Sequence, residues 1–165
     1  MDAKSRQELT VTSSAFNEGS MIPIKYTLNS ENISPDISWK GSPDGTKSFV
    51  IIMEDPDIPM PKFLIPSWIH WIVYDIPPGT TSIPAAIPIT GTLDNGMKQG
   101  KTSFMKTGYK GPKPPFGTHR YFFNIYALDK TIDLSPVKAN KKKIMKAMDG
   151  HVLAKGTLMG RYKKE

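Results

Sequence analysis

Tyr121-Phe122-Phe123-Asn124-Ile125-Tyr126-Ala127-Leu128 is apolar at nearly every position, and its reading decides the fold. In an extended chain successive side chains point to opposite faces. A run with no polar alternation therefore predicts a central strand covered on both sides, as in a sandwich of two sheets. Phe49-Val50-Ile51-Ile52-Met53 has the same character.

Working outward, 15 prolines and 13 glycines interrupt the chain every few residues, which favours short strands and turns over long helices. Strands are predicted over residues 9–13, 24–26, 37–40, 48–54, 68–76, 120–128 and 157–162. One segment reads as a surface helix. Ser135 is its cap, Pro136 its first residue and Gly150 its end, with Val137, Ile144, Met145 and Met148 on one stripe and Lys141, Lys142 and Lys143 towards solvent. The Pro/Gly-rich stretches 56–66, 77–88 and 108–117 read as loops between strands, and no internal repeat is visible. The expected architecture is one mainly all-β domain spanning residues 1–165, a Greek-key antiparallel β-sandwich with one or two short surface helices.

With 165 residues and no cysteine, such a domain must be held by packing, without disulfides or thiolate metal sites. The opening Met1-Asp2-Ala3-Lys4-Ser5-Arg6-Gln7-Glu8 has no apolar core, and the longest strictly apolar run is Phe49 to Met53. No signal peptide and no transmembrane segment is expected, and a cytoplasmic location is the default. Net charge is +7 and unevenly distributed. Residues 1–97 hold 6 basic and 11 acidic side chains (−5), whereas residues 98–165 hold 16 basic and 4 acidic (+12). Such a block can attract nucleic acid or steer small anions. Its basic residues are nearly all lysine, with only Arg6, Arg120 and Arg161 as arginines, so no nucleic-acid partner is expected.

Three stretches hold candidate chemistry. In Glu54-Asp55-Pro56-Asp57-Ile58-Pro59 the two aspartates stand two apart, so an extended chain would point both the same way, and Pro56 ends regular pairing. In Trp68-Ile69-His70-Trp71-Ile72-Val73-Tyr74 a histidine interrupts an apolar strand; alone, such a histidine is more often a satisfied core residue than a ligand. In residues 108–121 a loop stiffened by Pro112, Pro114 and Pro115, with glycines at both ends, leads into His119-Arg120-Tyr121, three donors of different reach. Arg120 follows His119 in a strand and so points the other way; a salt bridge with Asp55 or Asp57 is at least as well supported for it as ligand contact.

Taken together, Asp55-Pro56-Asp57 with Pro59, Trp68, His70, Gly111-Pro112, His119-Arg120-Tyr121, Tyr126-Ala127-Leu128-Asp129 and the closing Gly156-Thr157-Leu158-Met159-Gly160-Arg161-Tyr162 resemble the phosphatidylethanolamine-binding protein family, also called the Raf kinase inhibitor protein family, in its compact bacterial and archaeal form. The resemblance covers nearly the whole chain. It implies one small anion pocket lined or framed by Asp55, His70, Gly111, Pro112, His119 and Tyr121, supported by Asp57, Pro59, Trp68 and Arg120, with a cis bond at Ile58-Pro59. It also implies a homodimer. Lys113 stands where many prokaryotic relatives have cysteine, and the loop from Phe116 to His119 is shorter than in many of them.

The expected ligand is a phosphate or phosphoester, met by donors from His70, His119, Tyr121 and backbone N–H groups near Gly111, with the aspartates orienting the histidines. No cofactor or metal and no catalytic residue is expected. A metal-dependent hydrolase is the weaker enzymatic reading, because the histidines and aspartates lack tight ligand spacing. A serine hydrolase is weaker still, with no nucleophile-elbow sequence. The rival outside enzymology is an inhibitor of a kinase or serine protease, as members of the resembled family are described.

Overall fold

The computed structural model describes residues 7–164; the polar opening Met1–Arg6 and Glu165 lie outside the described residues. The strands are β1 (Gln7–Glu8), β2 (Thr10–Thr12), β3 (Ile37–Lys40), β4 (Ser48–Asp55), β5 (Trp68–Ile76), β6 (Ser82–Ile83), β7 (Lys98–Gln99), β8 (Thr118–Leu128) and β9 (Val152–Lys163). They form a six-stranded sheet in the order β1-β9-β8-β4-β5-β7 and a three-stranded sheet in the order β2-β3-β6. One α-helix, α1, spans Lys141–Met148.

The apolar runs do what their lack of alternation requires. On β8, Tyr121, Phe123, Ile125 and Ala127 enter a core shared with Val11, Ile37, Trp39 and Ile83 of the small sheet. Tyr126 and Leu128 face the opposite way, into a second core with Ile132, Ala139, Ile144 and Met148. β4 divides likewise, Phe49, Ile51 and Met53 against Val50 and Ile52. The large sheet is thus covered by the small sheet on one face and by α1 with its preceding loop on the other. Fully burying a side chain of this size contributes roughly 1.5–3 kcal/mol.

Several expectations change. The predicted strand 9–13 is β2 at 10–12, and a separate strand precedes it in the other sheet: β1 runs parallel to β9, β2 runs antiparallel to β3, and Leu9 between them donates its N–H to Lys155 O (3.0 Å). Gly156 permits this crossing, since a Cβ there would lie 2.2 Å from Leu9 O. Residues 24–26 form a 3-10 turn rather than a strand. Pro23 precedes it, and Tyr26 and Thr27 donate backwards to Pro23 and Ile24. The helix starts later than predicted. Residues 135–139 close a separate turn through Ala139 N–H to Ser135 O, and extended Asn140 caps α1 by accepting from Lys143 N–H (2.9 Å). Val137, at 68% exposure, and Met145 therefore lie outside the buried stripe, which is Ile144 and Met148. The Ile58–Pro59 bond is trans, as are all described peptide bonds. The chain reverses there by a tight turn, Met60 N–H to Ile58 O (2.8 Å), which needs no cis bond.

Two register slips redirect side chains of β5. Met53 pairs with Trp71 but Glu54 with Ile69, so His70 is an extra residue on β5. The bulge breaks the two-residue alternation: Ile69 joins the helix-side core and Trp71 the core between the sheets. The second slip, opposite Val50, places Asp75 at φ +53, where its carboxylate accepts from Ile132 N–H (2.6 Å) and Lys98 Nζ (3.0 Å).

Candidate functional site

The six-stranded sheet ends, on one side, where β4 stops. Its ladder with β8 runs out at Glu54–Phe122, and the next residue, Asp55, pairs only with Trp68 of β5. Glu54 points to the helix side, accepting from Ser67 Oγ (2.9 Å), Asn124 Nδ2 (3.2 Å) and Lys141 Nζ (2.5 Å). Asp55 points the other way, towards a cavity of about 250 Å³ lined by Leu28, Asp55, Ile58, Trp68, His70, Phe104, Lys113, Pro114, Pro115, His119 and Tyr121. Its walls are largely apolar, with a few converging polar groups.

Asp55 is buried and both its oxygens are engaged. Oδ1 accepts from Asp57 N–H (2.7 Å), and Oδ2 accepts from His119 Nδ1 (2.6 Å). The first of these bonds folds the chain back at Pro56, so the two aspartates diverge instead of sharing a direction. Asp57 turns outward to Arg120, accepting from its backbone N–H (2.8 Å), Nε (2.9 Å) and Nη2 (2.8 Å). Of the two predicted partners of Arg120, Asp57 is the one it meets. The Arg120 guanidinium holds the Asp57 carboxyl below its ordinary range, against the opposing effect of partial burial.

His70 and His119 flank β4 from β5 and β8, and both are buried. The His70 Nδ1–H donates to Lys110 O (2.6 Å), while Lys110 N–H returns a bond to His70 O (3.0 Å). Burial pushes the His70 imidazole below its ordinary pKa of 6.5, outweighing the Lys110 carbonyl and the Asp55 charge that favour the cation. The ring is clasped edge-on by Phe104 (5.4 Å between centroids) and Tyr121 (5.3 Å), and Phe104 also meets Trp68 (5.6 Å). Burial, with the charges of Asp55 and Asp57, drives the Tyr121 phenol far up, so its hydroxyl keeps its proton. In both histidines Nδ1 is tied to an oxygen acceptor. In the neutral form of either ring, Nε2 therefore holds the lone pair and accepts; it donates only once the ring is protonated.

Of the residues singled out in the sequence, Asp55, Trp68, His70, His119 and Tyr121 line the cavity. Gly111 and Pro112 do not. Gly111 lies against the chain behind the cavity, where a Cβ would come 2.2 Å from Tyr26 O, and its N–H donates to Asn32 Oδ1 (2.7 Å). With Lys110 N–H given to His70 and Pro112 having none, the backbone donors expected near Gly111 are already used. Asp57, Pro59 and Arg120 sit beside the cavity, outside its lining. Sequence reasoning passed over Leu28, Ile58, Phe104, Pro114 and Pro115 as lining residues; Phe104 lies in a turn that no apolar periodicity marks. Among the described residues, no group of three or more His, Asp or Glu is placed to hold a metal ion, and no helix is long and apolar enough to cross a membrane.

The fold and the site define a two-sheet β-protein with a small cavity at a strand end, lined by a buried histidine–aspartate pair. Residues 12–163 match the family model described as phosphatidylethanolamine-binding protein, and the chain belongs to that family. It is 44% identical over 150 residues to a UPF0098 protein of Methanothermobacter thermautotrophicus, covering 91% of this chain and 95% of that one. A UPF0098 protein of Aquifex aeolicus is 41% identical over 159 residues, covering 95% and 90%. Among solved structures, a phosphatidylethanolamine-binding protein homologue from Chlamydia trachomatis superposes with a TM-score of 0.84 at 37% identity, covering 96% of this chain and 99% of that one. YbcL of E. coli gives 0.83 at 27% identity with the same coverage. A carboxypeptidase Y inhibitor, solved with its proteinase, shares the fold at a TM-score of 0.56 and 17% identity, covering 95% and 83%.

Proposed function

We propose that this chain is a single-domain module, on a Greek-key β-sandwich, that binds a small phosphate-type anion in the cavity between His70 and His119. The observation that carries the reading is the pair of buried, Nδ1-anchored imidazoles beside the protonated Tyr121 hydroxyl on an apolar wall. Tyr121 donates directly, Lys113 adds a positive charge at the edge, and an imidazole donates through Nε2 after taking a proton. Anion binding is therefore coupled to proton uptake. At about 250 Å³ the cavity is below the ~300–1,000 Å³ of pockets for drug-sized ligands. It suits a phosphate or phosphoester head group rather than a whole lipid.

The test is calorimetric titration with inorganic phosphate and O-phosphorylethanolamine at low salt, comparing the unmodified protein with His119→Ala. Saturable binding lost in the variant is expected, with affinity rising as pH falls from 8 to 5.5. A flat pH response, or no binding by the folded protein, overturns the reading. A second reading, inhibition of a kinase or serine protease, draws on the apolar side chains of the loops bordering the cavity: Phe63 is 86% exposed, Met105 72%, and Leu64 and Phe116 62% each. Titrating a protease or kinase with the protein, with and without phosphate, checks that reading.

A further inference from the structure

Lys113, Pro114 and Pro115 line the histidine cavity, and the same three residues line a second depression with Ile24, Asn29 and Lys164. The two hollows share one wall. Their other flank is also continuous: Leu28 borders the first, its neighbour Asn29 the second, and Leu28 N–H donates to Pro112 O (3.0 Å) to fix that segment against the loop. Lys164 is set in place by its N–H bond to Gly117 O (3.3 Å) at the start of β8. Asn29 is held by its Nδ2 bond to Tyr162 Oη (3.0 Å). No carboxylate lines the second depression, and among the described residues neither Lys113 nor Lys164 has an ion-pair partner. The hollows beside Trp39, Met97 and Ala147 share no lining residue with the histidine cavity.

We infer that the second depression is a subsite for another anionic group on the same ligand, so that the protein selects extended molecules with two anionic ends, one in the histidine cavity and one between Lys113 and Lys164. The inference rests on the proposed anion reading of the cavity. Ile24, Pro114 and Pro115 supply an apolar path between the ends, and the two lysines supply charge that no ion pair among the described residues takes up. Joining two modest sites through one short linker raises affinity without any new contact.

The experiment compares hexyl phosphate with hexane-1,6-diol bisphosphate by calorimetry at low salt, on the unmodified protein, Lys164→Gln and His119→Asn. The bisphosphate is expected to bind about tenfold tighter. Lys164→Gln, which borders only the second depression, is expected to lower bisphosphate affinity about fivefold and leave hexyl phosphate unchanged. His119→Asn is expected to weaken both ligands. If hexyl phosphate binds through His119 and the second phosphate adds nothing, the subsite is wrong and the cavity reading stands. If Lys164→Gln weakens the bisphosphate while His119→Asn changes neither ligand, the cavity reading fails and the two-ended proposal falls with it.

Discussion

Asp55 and Asp57 stand two residues apart and meet adjacent residues of one strand, yet they occupy different worlds. Asp55 faces inward to His119 at 2.6 Å, with both side chains about 5% exposed or less. Asp57 faces outward to Arg120 at 2.8 Å, and the guanidinium side chain is half exposed. Both pairs pin the end of β4 to the start of β8. Water weakens the outer pair and leaves the inner one at nearly full strength. A carboxylate held to a nitrogen donor therefore borders the cavity on one side of the sheet and is only a fastening on the other.

The largest expected effect comes from breaking the inner pair. Asp55→Ala strands a buried imidazole and frees Asp57 N–H, which should cost about 3 kcal/mol in denaturant unfolding and abolish phosphate binding in calorimetry. Next comes His70. Its folded-state pKa lies below the unfolded value of 6.5, so below that pH the unfolded chain takes up the proton first. Stability is full above 6.5 and falls as pH drops towards the folded value. His70→Gln should flatten this fall when melting temperatures at pH 7.5 and 5.5 are compared. Anion affinity in the unmodified protein should move the opposite way over the same range. The smallest effect is outside: Arg120→Ala should cost about 1 kcal/mol or less, shrink further in high salt, and leave phosphate affinity within about twofold. An outer-pair variant that lost binding would erase the contrast between the two sides.

The parts of the fold legible in the sequence are those where burial acts on a whole strand. β4, β5 and β8 announce themselves because both faces are covered, and no polar residue is tolerated at regular spacing. β6 and β7, two residues each, are too short to show a period. The 3-10 turn at Ile24–Tyr26 looks like strand because Ile24 and Tyr26 are strand formers; Pro23 and the return bond to it decide otherwise. At the site, the histidines and aspartates were visible as residue types. Their division was not, because it depends on a bend at Pro56 that closes through Asp55's own carboxylate. The fate of the Gly111 amide depends on Asn32, which lies 79 residues away in the chain and sits at φ +55.

The crossing at Leu9 has a consequence for how this molecule can meet others. From there the chain runs on beside β9: Gly19 N–H donates to Met159 O (2.7 Å), Ile22 N–H to Arg161 O (2.7 Å), and Arg161 N–H to Ser20 O (2.9 Å). The long outer strand is thereby sealed by irregular backbone, and at the far side of the sheet β7 offers only two residues. Open strand borders invite a foreign strand to add on. Among the described residues, the borders of the six-stranded sheet leave little main chain to recruit one.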